Sequence, residues 1–192
     1  MRATPFLPLA ALAAACAHAP APAPRALGPA DYFPLAVGSE RVYRDESPAL
    51  PPERRGGTRT IRILAQTRDG YYRDSERGEL RVDGECLHDR ARRLLCAPIA
   101  AGKSWASVVS VSSTERYEIA SVGESIATPA GRFENCVKVR AHNRAAGTAD
   151  LVNEITYAPG VGPVVIETFA LVEGKVTLQF RALLQSYRVG GR

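Results

Sequence analysis

The chain has 192 residues, a formal charge of +5 and 45% hydrophobic content. That apolar content excludes a disordered polymer, and no apolar run beyond residue 16 approaches the ~20 residues of a membrane-spanning helix. Arginine supplies almost all of the positive charge, since lysine stands only at positions 103, 138 and 175, and it is interleaved with acids, as in Arg73-Asp74-Ser75-Glu76-Arg77-Gly78-Glu79. Scattered charge without a basic-aromatic module argues against a nucleic-acid partner.

Residues 1–15 have the layout of a secretory signal. Arg2 provides a short positive region, an apolar stretch runs from Phe6 to Ala15, and small residues precede Cys16. A cysteine directly after Leu12-Ala13-Ala14-Ala15 resembles the bacterial lipobox. The resemblance implies cleavage before Cys16 and lipidation of its sulfur. The alternative is an ordinary signal peptide that contains a cysteine, and Ala13 stands where the lipobox usually has Leu, Val or Ile. Residues 16–30 read as a tether. The run Ala17-His18-Ala19-Pro20-Ala21-Pro22-Ala23-Pro24 favours an extended rod, because each proline removes a donor and fixes φ. At ~3.1 Å per residue, eight such residues reach roughly 25 Å.

Residues 31–192 are expected to form one domain, large enough for a real core. Tyr32 to Leu35 packs and then turns at Val37-Gly38, with room for a short helix. Arg41 to Arg44 alternates as a strand, and Ser47 to Gly57 is a loop rich in Pro and Gly. Strands follow at Thr58–Gln66, Tyr71–Asp74 and Leu80–Val82, with Asp69-Gly70 as a hairpin turn and Asp83-Gly84 as another turn. Cys86-Leu87-His88 and Leu94-Leu95-Cys96 frame a polar tip. Further strands are expected at 104–111, with Trp105, Val109 and Val111 on one parity, and at 116–122. In 133–140, Phe133, Val137 and Val139 share one parity and Cys136 takes the other. Strands at 152–157, 164–171 and 176–187 complete the series, with turns at 128–131, 146–148 and 173–174; a short helix near Leu183–Gln185 is the alternative there. Many short strands with evenly spaced turns imply an all-β, antiparallel, strongly curled sheet: a half-barrel or a sandwich built from successive hairpins.

Without Cys16, three cysteines remain. An oxidising compartment then favours one bond and one leftover thiol. A hairpin loop at Arg90-Ala91-Arg92 sets Cys86 opposite Cys96, which a cross-strand disulfide can use. Free thiols or a bond to Cys136 are the alternatives. The histidines at 18, 88 and 142 have no metal spacing, and Cys-x-x-Cys is missing. No nucleophile elbow or phosphate loop is present. Glu134 with Arg140, or Glu154 with Glu167, could be assembled into carboxylate sites, but charges alternating outward from a sheet look the same. His88-Asp89 reads as a hairpin tip. No catalytic residue, metal ligand or cofactor is assigned.

Three stretches are read together: Tyr32-Phe33-Pro34-Leu35-Ala36-Val37-Gly38, then Pro129-Ala130-Gly131-Arg132-Phe133-Glu134-Asn135-Cys136-Val137-Lys138-Val139, then Tyr157-Ala158-Pro159-Gly160-Val161-Gly162-Pro163-Val164. They resemble a group of exported bacterial β-rich proteins and lipoproteins of unknown function, related in outline to periplasmic lipoprotein carriers with an open half-barrel. The resemblance implies a curled antiparallel sheet. It implies no activity, cofactor or catalytic residue. Arg41 departs from it, standing where members often have Trp, and Arg132 replaces a usual Thr. The residues themselves read as architecture. Pro129 and Gly131 reverse the chain, and Pro159, Gly160 and Gly162 make a compact bend with at least one glycine at positive φ.

The expected role is that of a cell-envelope lipoprotein, held at the outer membrane by its lipid and facing the periplasm, because Ala17 replaces the aspartate that retains enteric lipoproteins at the inner membrane. It would be structural or contact an envelope protein. The alternative is a binder of an apolar ligand, such as an acyl chain, inside the curled sheet. Trp105, Tyr117, Phe133, Tyr157 and Phe169 discriminate the two: filling a dry core they are packing, lining a concavity they suggest a ligand.

Overall fold

In a computed structural model, which describes residues 25–111, 113–144 and 149–191, the alternating segments become twelve antiparallel strands of one sheet, curled until it nearly closes into a barrel. The strands are β1 (Glu40–Glu46), β2 (Gly56–Gln66), β3 (Tyr72–Asp74), β4 (Glu79–Val82), β5 (Cys86–His88), β6 (Arg93–Cys96), β7 (Ser104–Ser110), β8 (Ser113–Thr128), β9 (Gly131–Arg144), β10 (Ala149–Ala158), β11 (Gly162–Val172) and β12 (Lys175–Arg188). One helical turn, α1 (Pro29–Tyr32), precedes them. The expected curled all-β sheet is therefore the fold. Cys16, the Ala-Pro tether and the turn expected at 146–148 lie outside the described residues.

The order across the sheet is β6-β5-β4-β3-β2-β1-β12-β11-β10-β9-β8-β7. The first and last strands are thus central neighbours, with Arg41 opposite Tyr187 and Glu46 opposite Arg181. The two edges, β6 and β7, come from the middle of the sequence. Turn chemistry holds the hairpins in register. Glu173 and Gly174 both take positive φ, 51° and 78°, as a two-residue mirror-image turn requires. The Asp69-Gly70 turn closes a longer connection than a two-residue hairpin, because the Thr67 N–H donates to Tyr71 O. Leu183–Gln185 is strand, not helix.

Two apolar clusters fill the fold. The first joins Tyr32, Phe33, Leu87, Leu95, Tyr117, Ile119, Val137, Val139, Ala141 and Tyr157. The second joins Tyr43, Cys136, Ala158, Val161, Val164, Ala182 and Leu184, with Phe133 and Phe180 packed against it. Burying each large aliphatic side chain contributes about 1.5–3 kcal/mol. Asn135, at a φ of 55°, breaks the alternation expected for β9. Cys136 and Phe133 consequently pack in the second cluster, while Val137 and Val139 remain in the first. The expected packing parity also fails at the end of β7. Ser107 is buried there, whereas Val108, Val109 and Val111 are exposed, because the strand is irregular between Val108 and Ser110.

The edges β6 and β7 meet through side chains. The Arg93 N–H donates to Ser107 Oγ (2.9 Å), Trp105 Nε1 donates to Arg93 O (2.7 Å), and Arg93 Nη2 donates to Ala106 O (2.7 Å). Arg93 thereby carries the seam.

Candidate functional site

The three sequence stretches converge at one end of the barrel. α1 begins where the Asp31 carboxylate accepts from the Gly28 N–H (2.8 Å), and that hydrogen bond, together with Arg25, lowers the Asp31 pKa. From this turn, Tyr32 donates through its hydroxyl to Asn135 O (3.0 Å) and the Gly160 N–H donates to Asp31 O (2.7 Å). Phe33 meets Tyr157 edge to face, 6.4 Å between centroids. The turn at Pro129–Gly131 reaches across to β12, with the Ala130 N–H donating to Leu184 O (3.0 Å). Each stretch supplies a backbone group or an aromatic ring to another, so together they form the base of the barrel.

Arg41 sits inside this base. It shares a face of β1 with Tyr43, and both are buried, at 3% and 1% exposure. Its Nε donates to Val161 O (2.7 Å), and its guanidinium lies 4.5 Å from the Phe33 ring centroid. Gly162, at a φ of 108°, leaves it room: a Cβ there would stand 2.7 Å from Arg41 Nε and 2.9 Å from Nη2. Among the described residues no carboxylate forms an ion pair with Arg41, and Nη2 is buried without a hydrogen-bond partner. Burial lowers the Arg41 pKa and raises that of Tyr43 to about 12, so the phenol is neutral at pH 7. The Tyr43 hydroxyl donates to Pro163 O (2.9 Å).

The bend residues serve this geometry. Gly160 and Gly162 both have positive φ, 73° and 108°. Gly131 takes 132°. Pro129 and Pro159 sit in the turns that begin β9 and precede β11. Elsewhere, Cys86 and Cys96 are opposite one another in the β5–β6 register, and their sulfurs are joined at 2.07 Å. Cys136 is a buried free thiol whose pKa burial pushes up to about 11.

The carboxylates considered above are held by arginines. Glu154 and Glu167 are opposite in register, but Glu154 accepts from Arg140 and Glu167 from Arg181, both at 2.7 Å. Arg140 also bridges to Glu118 (3.0 Å). Glu134 is held by Arg132 (3.0 Å), not by Arg140. His88 faces Asp83 (3.2 Å) and its ring stands edge-on to Tyr71. A buried carboxylate that the sequence did not single out, Glu115, accepts from the Tyr117 hydroxyl and from Asn143 Nδ2 (2.8 Å). Tyr117 stacks on Trp105, 5.6 Å between centroids. Glu115 thus ties β8, β9 and the seam together. An open depression of about 710 Å³ between β1 and β2 is lined by Arg44, Glu46, Pro48, Arg55 and Gly57. Its cations are occupied, Arg44 by Glu46 (3.1 Å) and Arg55 by Leu50 O (2.7 Å).

Arg41 was legible only as a departure from the pattern that the sequence resembles. The signal for its burial was present in its i, i+2 relation to Tyr43. Glu115 had an equivalent signal in its parity with Tyr117 and Ile119.

No family model matches the chain, and no curated protein does. Among solved structures, the chain is similar to a crystal structure of a candidate lipoprotein from Parabacteroides distasonis. The identity is 15% and the TM-score 0.46, over 82% of this chain and 98% of that one.

Proposed function

We propose that this protein is a cell-envelope lipoprotein, anchored through Cys16, that acts by non-catalytic contact with another envelope component. The observation that carries the choice of contact over ligand is the state of the discriminating aromatics. Tyr117 and Tyr157 are buried at 5% and 1% exposure within one packed cluster. Trp105 packs against the same cluster and Phe133 against the other, whereas Phe169 is half-buried and belongs to neither; four of the five are thus packing. The side chains that an acyl chain would need at an open wall are occupied with one another.

Anchoring would place the domain on an Ala-Pro spacer, with α1 and the base of the barrel nearest the lipid. The absence of aspartate after Cys16 favours the outer membrane, facing the periplasm. The test is to express the full chain and its Cys16→Ser variant in a Gram-negative bacterium. Wild type should stay with the membrane and carry lipid on its first mature residue by mass spectrometry, and the variant should be released. Equal release of both defeats the proposal.

A second reading, in which the protein binds an apolar ligand, is favoured by a different feature. The core face of β10–β12 continues beyond the packed clusters as half-exposed Leu151 and Ala170. Native mass spectrometry of protein purified from its envelope decides between the two. A stoichiometric acyl ligand would support this second reading, and its absence the first.

A further inference from the structure

We propose that Arg41 is a receptor for a small oxyanion, a carboxylate or phosphate group held at its Nη atoms in the base of the barrel. A guanidinium remains protonated at neutral pH even when burial lowers its pKa. Burying an ionised group without a counter-charge is costly, and native folds pair such groups. Arg41 is buried to 3% exposure. Among the described residues its one hydrogen bond goes to a neutral carbonyl, Val161 O (2.7 Å). Its remaining contact is the face of Phe33, 4.5 Å from the ring centroid. Neither neutralises the charge. Tyr43, on the same face of β1, is neutral, with its hydroxyl committed to Pro163 O (2.9 Å). Nη2 is buried and has no partner among the described residues.

The surroundings are built around this cation. Gly162 holds a backbone conformation that side chains avoid, and its missing Cβ is what lets Nη2 lie where it does. Phe33 covers one face of the plane. Val161 O fixes Nε and so orients the fork, and the Nη groups have no acceptor among the described residues. Their donor edge matches the paired oxygens of a carboxylate or phosphate.

The experiment uses the full chain purified in detergent, at constant ionic strength set by a sulfonate salt too bulky to enter. Sodium formate, sodium acetate and inorganic phosphate are titrated separately. At least one should raise the melting temperature saturably, by several degrees, as a ligand that binds only the folded state does. The same anion should shift the Arg41 Nε–H resonance in nitrogen-15 NMR, and Arg41→Gln should abolish the saturable rise. The three anions distinguish carboxylate from phosphate as the preferred group. If Arg41→Gln does not fold, the resonance titration on wild type decides. An Arg41 resonance that none of the anions moves, or a rise that is equal in wild type and Arg41→Gln, overturns the proposal.

Discussion

Substituting alanine at Gly160 and at Gly162 separates two costs within one bend. At Gly160 the φ is 73° and a Cβ would meet nothing within 4 Å. The cost is then conformational, about 1–2 kcal/mol. At ~2–4 °C per kcal/mol for a chain of this size, the loss in Tm is roughly 2–8 °C. At Gly162 the φ of 108° adds the same kind of strain, but the Cβ would also stand 2.7 Å from Arg41 Nε. Real Cβ contacts do not come so close, and Arg41 is enclosed at 3% exposure. The guanidinium must therefore leave Val161 O, and a hydrogen bond from a charged donor is worth about 1.5–3 kcal/mol. The sum is about 2.5–5 kcal/mol, a loss on the order of 10 °C. Circular-dichroism melts of both variants in one buffer measure the difference. In an Arg41→Leu background the extra cost at Gly162 should disappear, because the two sites couple only through the guanidinium. Equal melting of the two alanine variants in the wild-type background would refute the reasoning.

Other outcomes follow from features already described. Reducing the Cys86–Cys96 bond, which spans a sequence separation of 10, should cost about 2–3 kcal/mol by the chain-entropy estimate. Peptide mapping of oxidised protein should find those two residues linked and Cys136 alkylated only after unfolding. With its pKa pushed up to about 11 by burial, Cys136 should be inert to a thiol reagent at pH 8 in the native state and react once in denaturant. Above pH 9 the unfolded thiol ionises before the native one, so stability should fall between pH 9 and 11 in wild type and fall less in Cys136→Ala. Ser107→Ala removes the acceptor of the Arg93 N–H. Hydrogen exchange at that amide should accelerate, with about 1 kcal/mol lost overall; unchanged exchange would mean that the seam is held elsewhere.

The hairpins were legible because their signals are local. Asp83-Gly84, Glu173-Gly174 and the spacing of Cys86 and Cys96 each fix a turn or a register within about ten residues. What escaped was set by partners distant in sequence. Arg41 faces inward because Val161 and Phe33 receive it, and neither is near it in the chain. Glu115 is buried where Asn143, on the next strand, donates a hydrogen bond to one of its oxygens. Cys136 joins the second cluster through one left-handed residue, Asn135, which no alternation pattern signals. Val109 and Val111 matched a packing parity but lie where β7 has lost its regular pairing, so their apolar character says nothing about depth.

The pairing of β1 with β12 also has a temporal side. All the other neighbours in the sheet are consecutive in sequence, so each can zip as soon as its hairpin has emerged. β1 cannot. Its second partner, β12, is the last strand of the sheet in sequence order. A chain that crosses a membrane N-terminus first would therefore carry β1 with one side unpaired until β12 has crossed as well. During that interval the exposed side of β1 is an open template for other strands. Such a chain would gain from a chaperone that shields β1 until β12 arrives.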